Sequence, residues 1–562
     1  MILDKTRQIS GRTILLEVVG LILIVIGFIL VLNNINSGPL KEFVFGNADM
    51  LTLPLVHQSL MLGEPFQWIF SSQIFLFPEA LIYGISSLFG NNFKLALIIN
   101  SFIAIILLYF AMRYVMRSFS NNKLVNISFS IMYITLVLLL QASEPRSDMS
   151  IAMYYFVTTA YYGVILSGLV AIGILSSVIK QENNKTLSAK SKILLGCLGC
   201  LSFLVGLSNP LFFLQVSAPL AIVLFIQRLF DFITTKLLII VGSIIIGSLL
   251  TATLVRKVIL SQFFSPTGNI SNYFHFEDIN LAIKTFYHML LQMAHGTASQ
   301  KIELSILVVL TLFSVSAFVY IVIMKIKKSK GWASKIQAHH FLLMAFAAVA
   351  PVTTTMGSIL TGNAVMRYMM PILFFAPLAI IPLYVYIARA HLFLVKISVA
   401  AVAAILLIAI LILARSPITI TRELVTYYPT AAACMDNHLS GTEYKNGIAQ
   451  YWRARVLQLN SKDGHIIEQT DATLKRFTWL YNKASYDMYD LSFVIVDRRE
   501  KMISKEISNN PYFAIEGSSA NYALGAPNNL YECEDFDIYA YDKGSHGHTV
   551  LNRTVRDRSM GR

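Results

Sequence analysis

Long apolar runs are the feature of this sequence that most restricts its fold. Eleven such runs follow one another along the first 414 residues, most of them close to the roughly 20 residues that cross a bilayer. They lie near 13–32, 93–112, 124–141, 150–179, 193–208, 211–227, 237–260, 303–324, 340–360, 366–388 and 393–414. We therefore expect a mostly α, polytopic membrane protein with about 11 transmembrane helices and a membrane module over residues 1–414.

The composition agrees with this class. The chain is 56% hydrophobic and only 14% charged, whereas soluble domains carry about 25% charged residues. The net charge is +14, but residues 415–562 hold 18 basic and 18 acidic side chains, so the excess lies in the membrane module. A nucleic-acid-binding protein would need a basic soluble face, so we expect the lipid bilayer and no nucleic acid as a partner.

Basic residues between the apolar runs predict the orientation. The clusters within 113–123, 180–192 and 325–335 all fall on the side of the N-terminus when eleven spans are counted. By the positive-inside rule the N-terminus is then cytoplasmic, and an odd number of spans places the C-terminal part outside. We expect a bacterial inner membrane, with the C-terminal domain periplasmic or extracellular.

The pattern changes after residue 414. Asp490–Asp497 is typical of a buried strand, and Phe536–Tyr541 alternates as a half-exposed strand does. These runs predict a small extracytoplasmic α/β domain over 415–543, followed by a polar tail, 544–562, that we expect to be disordered. The aromatic residues of the α/β domain, Tyr451 among them, could stack on sugar rings or belong to the core, and we favour the core.

Cysteines and short motifs give little sign of metal or cofactor chemistry. Cys434 and Cys533 lie in the C-terminal domain and could form a disulfide in an oxidising compartment. The chain has no phosphate-binding glycine loop, no HExxH motif and no convincing metal-ligand cluster. The sequence therefore predicts no metal site.

The segment after the first span, 33–92, carries the leading candidate for chemistry. Asp49 lies there at the membrane surface, where it could cap a helix or act as a general base toward a hydroxyl group. His57 follows about two turns later and could share its face, as a substrate contact or as an ordinary interfacial residue. Glu79 is a weaker candidate contact on an amphipathic stretch of the same segment.

The short second loop is also rich in ionisable groups. Glu144, Arg146 and Asp148 lie within five residues between two predicted spans. They form either a solvated turn, or a second acidic site (Glu144, Asp148) with a basic contact for phosphate (Arg146).

Arginine at the end of a span is the next candidate. A charge within a span costs about 2.5–3.5 kcal/mol on insertion scales, so Arg367 needs a partner unless its side chain snorkels to the surface. A lipid-linked phosphate is a natural partner, because guanidinium binds phosphate through two parallel hydrogen bonds. Arg256 and Lys257, at the end of another span, fit the same phosphate or snorkel.

Together these features resemble the GT-C superfamily of polytopic membrane glycosyltransferases, which use polyprenyl-phosphate sugar donors. The resemblance covers most of the chain, including the interfacial helices of the first loop and the extracytoplasmic domain. Its motifs are Asn47-Ala-Asp49, the acidic loop of Glu144 and Asp148, and Arg367-Tyr368 followed by Pro371. Tyr368 becomes a candidate substrate contact on this basis. Many members have an acidic pair where this chain has one acid, so a divalent cation is left open and no cofactor is firmly implied.

The resemblance implies inverting transfer of a hexosyl or pentosyl group from a polyprenyl-phosphate donor to an extracytoplasmic glycan acceptor, such as a surface polysaccharide or a lipid-linked glycan. Asp49 would be the catalytic base, and Arg367 with Arg146 would stabilise the departing phosphate. The alternatives are a transporter or flippase, which would need mid-span charges and paired broken helices, and a polymerase of lipid-linked saccharides.

Overall fold

The computed structural model describes most of the chain. It covers residues 11–144, 150–181, 187–264, 276–327, 336–362, 364–391, 417–498 and 514–556, with a few helical positions between 393 and 404. Within these residues the fold consists of a bundle of long apolar helices and a small domain with a sheet near the C-terminus.

Helices that could cross a bilayer dominate the first part of the chain. Nine helices among the described residues have the length and apolar composition of a span. They are Thr13–Ser37, Phe93–Phe119, Lys123–Ser143, Tyr162–Gln181, Ala189–Ser208, Thr235–Val258, Ala298–Ile326, Ala338–Leu360 and Met366–Ala390. The mostly α membrane fold is therefore confirmed, whereas the predicted count of about 11 is too high for the described residues.

Two of the predicted spans explain the difference. The run 211–227 forms an apolar helix over Phe213–Leu229 that begins with a π-helical turn. At 1.5 Å per residue this helix extends about 25 Å, which is short of the roughly 30 Å hydrocarbon core. The run 393–414 lies almost wholly outside the described residues.

The helices of the membrane part are numbered in chain order. They are α1 (Gly11–Ser37), α2 (Leu40–Gly46), α3 (Thr52–Met61), α4 (Leu81–Ser87), α5 (Phe93–Phe119), α6 (Lys123–Ser143), α7 (Ile151–Tyr154), α8 (Tyr162–Gln181), α9 (Ala189–Ser208), α10 (Ala218–Leu229), α11 (Thr235–Val258), α12 (Ile279–His295), α13 (Ala298–Ile326), α14 (Ala338–Leu360), α15 (Met370–Phe375), α16 (Ile381–Ala390) and α17 (Pro417–Val425). The first loop, residues 38–92, contains α2, α3, α4 and the short strand β1 (Trp68–Ile69).

Glycines allow several of these helices to pack closely. A Cβ on Gly20 of α1 would lie 2.6 Å from the Ile131 side chain of α6, and one on Gly168 of α8 would lie 2.6 Å from the Phe375 ring of α15. Small residues at such contacts let helix backbones approach each other, which is the usual basis of helix association in membranes. Gly168 therefore allows α8 to pack closely against α15.

The C-terminal domain has a mixed five-stranded sheet. Its strand order is β3-β2-β5-β7-β6, with β2 parallel to β3 and β5, and β7 antiparallel to β5 and β6. The strands are β2 (Asn446–Gln450), β3 (Ile466–Thr470), β5 (Phe493–Asp497), β6 (Asn529–Glu532) and β7 (Phe536–Ala540), and β4 (Tyr481–Asn482) lies apart from this sheet. The helices are α18 (Thr430–Leu439), α19 (Tyr451–Asn460), α20 (Ser485–Met488), α21 (Gly517–Leu524) and α22 (His546–Arg556).

Apolar side chains cover both faces of this sheet. Helices α18 and α19 pack on one face, and α21 and α22 pack on the other. Cys434 of α18 forms a disulfide with Cys533, which lies between β6 and β7. The result is a three-layer α/β domain.

The boundaries of this domain differ from those we expected. Helix α17, which begins at Pro417, buries Ile420 and Leu424 in the core of the membrane bundle. The tail was expected to be disordered from residue 544, but Leu551 and Val555 of α22 are fully buried against the sheet. These two residues lie four positions apart and so share one helix face. Because the rest of the tail is polar, this helical spacing was not recognised in the sequence.

The first loop and the C-terminal domain are joined directly. Strand β1 pairs antiparallel with β4, with Trp68 opposite Asn482. A small apolar cluster that includes Leu55, Trp68 and Leu480 fills the junction. These two segments, about 400 residues apart in sequence, therefore lie on the same side of the helix bundle.

Replacement of Gly168 by alanine tests the close packing of α8. We expect it to lower the free energy of unfolding by about 1–3 kcal/mol, because the new Cβ would lie 2.6 Å from Phe375 and 3.0 Å from Val216. Gly242→Ala in α11 is the matched control, since nothing lies within 4 Å of that Cβ position and alanine favours the helix. Thermal unfolding of both variants in detergent measures the effect, and equal stability would contradict the packing.

Candidate functional site

Asp49 lies in the turn between α2 and α3. Its backbone N–H donates to the Asn47 side chain at 3.1 Å, and its carbonyl accepts hydrogen bonds from Thr52 and Thr159 at 3.0 and 2.9 Å. Helix α3 begins at Thr52 with Leu51 as its N-cap and has no side-chain cap. Asp49 therefore does not cap this helix, and its carboxylate is available for other contacts.

Arg367 and Tyr451 hold the Asp49 carboxylate from two sides. Arg367 Nη1 lies 3.5 Å from Oδ2, and the Tyr451 hydroxyl donates a hydrogen bond of 2.6 Å to Oδ1. Arg367 belongs to a 3₁₀ turn, Met366–Met369, that precedes α15, whereas Tyr451 is the first residue of α19. The first loop, a late span and the C-terminal domain thus meet at one carboxylate.

Aromatic rings surround the Arg367 guanidinium. Its central carbon lies 5.8 Å from the ring centre of Tyr161 and 5.7 Å from that of Tyr368, and these two rings are 5.7 Å apart. Among the residues that the structure describes, Arg367 Nε has no hydrogen-bond partner. The rings hold the cation in place without using its N–H donors.

A cavity of about 440 Å³ lies beside this cluster. Helices α9, α11 and α14 and the segment before α10 form its largely apolar walls. Tyr368 and Gln73 line the cavity. Tyr368 also contacts Arg367, and Gln73 contacts Tyr161, so these two residues connect the cavity to the site around Arg367. Phe213 and Leu250 on its wall are exposed, so the cavity opens sideways on the surface of the bundle.

Arg256 lines the same cavity but is engaged with the backbone. Its Nη1 donates to the carbonyl of Leu207 at 2.7 Å, its Nη2 donates to that of Ser72 at 2.5 Å, and its guanidinium lies 4.3 Å from the ring centre of Phe264. Arg256 therefore ties the first loop to α9. Lys257 is exposed and does not belong to the cavity lining.

His57 and Glu79 contact residues other than Asp49 and Arg367. The His57 ring packs edge-to-face on Tyr83, with the ring centres 6.2 Å apart. Glu79 is buried in a π-helical turn, and burial raises its pKa to about 8. Its carboxyl group lies against Gly163, where a Cβ would be 2.5 Å from Oε1. Neither residue contacts the Asp49–Arg367 pair among the described contacts.

The second acidic loop is only partly described. Glu144 is fully buried, and its side chain accepts a hydrogen bond from Gln300 at 3.4 Å. Its backbone carbonyl accepts from Asn34 at 2.7 Å. Glu144 thus joins α1, α6 and α13, and its described contacts do not include Asp49 or Arg367. Arg146 and Asp148 lie outside the described residues.

Helix α19 reaches Asp49 because Arg455 anchors it. Arg455 Nη1 donates to the carbonyl of Ala48 at 2.9 Å and to the hydroxyl of Thr52 at 3.1 Å, and its Nε donates to Gln469 at 3.1 Å. The sequence did not identify Tyr451 as a site residue, because its ring could stack on a sugar or belong to the core, and we favoured the core.

A second polar cluster lies at the junction of the first loop and the domain. Glu64 accepts hydrogen bonds from Ser59, Asn482 and Tyr489 at 2.6, 3.0 and 2.7 Å. Glu468 of β3 lies near it, and burial first, then the neighbouring Glu64 charge, raises the pKa of Glu468 to about 8. Protonation of Glu468 therefore favours the docked junction.

Comparison of the chain with protein-family models and with curated proteins finds no match in either set. The resemblance to GT-C glycosyltransferases therefore rests on the layout of the spans and on the motifs around Asp49 and Arg367.

The raised pKa of Glu468 predicts a pH-dependent stability. Its pKa of about 8 in the folded protein exceeds the ordinary carboxyl pKa of 4.5, so its contribution to stability is present below pH 4.5 and is lost as the pH rises toward 8. Each pKa unit corresponds to about 1.4 kcal/mol. We expect the Tm of the protein to fall between pH 5 and pH 8, and the fall to be smaller in Glu468→Gln.

Glu443→Gln is the control for this experiment, since Glu443 is an exposed acid in the same domain. It is expected to keep the pH dependence of the unaltered protein. The same slope in Glu468→Gln would contradict the assignment.

Proposed function

We propose that this protein is a membrane glycosyltransferase that transfers a sugar from a polyprenyl-phosphate donor to the hydroxyl group of a glycan acceptor. One observation carries the proposal: a carboxylate and a guanidinium lie 3.5 Å apart, and the guanidinium rests on Tyr368, which lines an apolar cavity that opens on the side of the helix bundle. A base beside a cation suits a reaction in which a hydroxyl group attacks and an anion leaves.

The cavity suits the lipid part of the donor. Its volume of about 440 Å³ lies within the usual range of ligand pockets, about 300–1,000 Å³, and its walls are largely apolar. Exposed wall residues such as Phe213 and Leu250 leave an opening through which a prenyl chain could enter from the bilayer. With the chain in this cavity, the phosphate would lie near Tyr368 and Arg367.

The acceptor would bind at Asp49. Its hydroxyl group would replace the Tyr451 hydroxyl on Oδ1 and give its proton to the carboxylate. The acceptor oxygen would form a bond to the anomeric carbon while the bond from that carbon to the phosphate oxygen breaks. One displacement of this kind inverts the anomeric centre and releases the polyprenyl phosphate.

Arg367 would stabilise the charge that develops on the departing phosphate. The rings of Tyr161 and Tyr368 fix its guanidinium, and its N–H donors can form paired hydrogen bonds to phosphate oxygens. The leaving group is already a competent anion, so the reaction requires no general acid. A sugar donor dissolved in lipid and an acceptor on the side of the C-terminal domain would also suit our expectation of a bacterial inner membrane.

Asp49→Asn tests the proposed base. We expect transfer to fall by about 10²–10⁴-fold, because the amide cannot accept the proton. The measurement is the formation of labelled glycan in membranes supplied with radiolabelled polyprenyl-phosphate hexoses and pentoses. Asp231→Asn is the matched control, since Asp231 is also paired with an arginine, Arg228, but is 84% exposed and does not line the cavity.

The control is expected to retain full transfer. Full activity of Asp49→Asn would exclude Asp49 as the base. Movement of labelled lipid across the membrane without any glycosylated product would instead favour the transporter or flippase alternative.

Thr253→Trp tests the proposed donor cavity. Thr253 lines the cavity from α11, and an indole there would occupy the space assigned to the prenyl chain. We expect KM for a long-chain donor to rise at least about tenfold, with a smaller change in kcat, because the lost contacts are made before the chemical step.

Thr251→Trp is the matched control for this variant. Thr251 is exposed on the same helix, makes the same type of hydrogen bond to a backbone carbonyl four residues earlier, and does not line the cavity. It is expected to leave KM unchanged. Equal KM values for the two variants would show that the donor does not use this cavity.

A further inference from the structure

Three potential metal ligands meet at the ends of two helices in the C-terminal domain. Asp436 lies in the last turn of α18, and Asp463 and His465 lie between α19 and β3. One ligand atom from each residue lies within 4.8 Å of the other two. Asp436 and His465 are buried and Asp463 is exposed, so the cluster is open to solvent on one side.

The His465 ring points an unsatisfied nitrogen into this cluster. Its Nδ1 lies 3.1 Å from the backbone carbonyl of Lys445, an acceptor, so Nδ1 must carry the hydrogen. The residue is only 1% exposed, and its Nε2 has no hydrogen-bond partner among the described residues. Nε2 instead faces Asp436 Oδ1 at 3.8 Å.

A separation of 3.8 Å is too long for a hydrogen bond but is close to that of two ligands on one metal ion. Zinc binds imidazole nitrogen and carboxylate oxygen at roughly 2.0–2.2 Å, which places two ligand atoms about 3.4 Å apart at a tetrahedral angle. Without an ion, Nε2 is a buried acceptor that no hydrogen-bond donor reaches among the described residues. An ion between the two atoms satisfies both.

The Asp436 carboxylate is fixed for such a role. Oδ1 accepts a hydrogen bond from the Ser461 hydroxyl at 2.7 Å. Oδ2 accepts from the backbone N–H of Lys462 at 2.6 Å and from the Tyr428 hydroxyl at 2.5 Å. Hydrogen bonds of this kind orient ligands in known metal sites, as does the bond from His465 Nδ1–H to a carbonyl.

Two helix ends also favour a cation here. Helix α18 ends at Leu439 and α19 ends at Asn460, both within a few residues of the cluster. The carbonyl groups at the C-terminus of a helix carry a partial negative charge, which stabilises a nearby cation.

We propose that Asp436, Asp463 and His465 bind a divalent transition-metal ion of the zinc class, with water completing the coordination. The imidazole ligand favours such an ion over magnesium or calcium, which prefer oxygen ligands alone. The bound ion would join residues 461–465 to α18 and so fix the C-terminal end of α19, the helix that presents Tyr451 to Asp49. This site is independent of the proposed transferase activity.

The test uses the full chain, purified in detergent under non-reducing conditions, stripped with EDTA and then titrated with Zn²⁺. We expect one ion per chain by metal analysis, a higher Tm with Zn²⁺, and visible absorption bands when Co²⁺ replaces Zn²⁺. Asp463→Asn alters an exposed residue, so the chain is expected to fold, with a Kd for Zn²⁺ raised at least about tenfold. His465→Gln is expected to abolish the absorption bands.

Two control variants separate this site from its neighbours. Asp490→Asn breaks another histidine–aspartate pair, His548 Nε2 to Asp490 Oδ1 at 3.2 Å, and is expected to bind Zn²⁺ as the unaltered chain does. His438→Gln tests the group of Cys434, His438 and Cys533, whose cysteines form a disulfide. The proposal is overturned if the unaltered chain binds no Zn²⁺, if Asp463→Asn binds it equally well, or if binding is lost in His438→Gln.

Discussion

The Asp49 carboxylate is the point at which the membrane bundle and the C-terminal domain depend on each other. A partly buried carboxylate is costly unless hydrogen bonds and an opposite charge compensate its desolvation. Arg367 supplies the charge from the bundle, and Tyr451 supplies a hydrogen bond from the domain. Because neither part of the chain provides both contacts, the environment of Asp49 exists only when the domain is docked.

Docking rests on polar contacts to the backbone as well as on apolar burial. Arg455 reaches the carbonyl of Ala48, and strand β1 of the first loop pairs with β4 of the domain. A hydrogen bond from a charged group is typically worth about 1.5–3 kcal/mol, so the loss of Arg455 would weaken the junction without unfolding the sheet. The position of Tyr451 is therefore set by contacts that lie outside the candidate reaction site.

The sequence predicted those features that depend on local pattern or on chemical necessity. Apolar length identified most spans. Arg367 was chosen because a charge within a span needs a partner, and Asp49 because it follows the first span as a candidate base; their contact with each other was not predicted. Tyr451 was missed because it contacts a residue 402 positions away in the chain, and local sequence patterns do not indicate contacts at that separation. The helix of residues 546–556 was missed because its buried face is only a few residues wide within a polar segment.

Two arginines illustrate why position in a span is not enough to assign a phosphate contact. Arg256 and Arg367 both lie near helix ends beside the cavity, and both were candidate phosphate contacts in the sequence. Arg256 donates to two backbone carbonyls that do not leave the site, so binding a phosphate would require breaking contacts that hold the first loop. Arg367 instead rests on aromatic rings and one carboxylate at 3.5 Å, contacts that an incoming anion can share. An arginine held by rings is therefore better suited to exchange ligands than one held by carbonyls, and this difference becomes visible only in three dimensions.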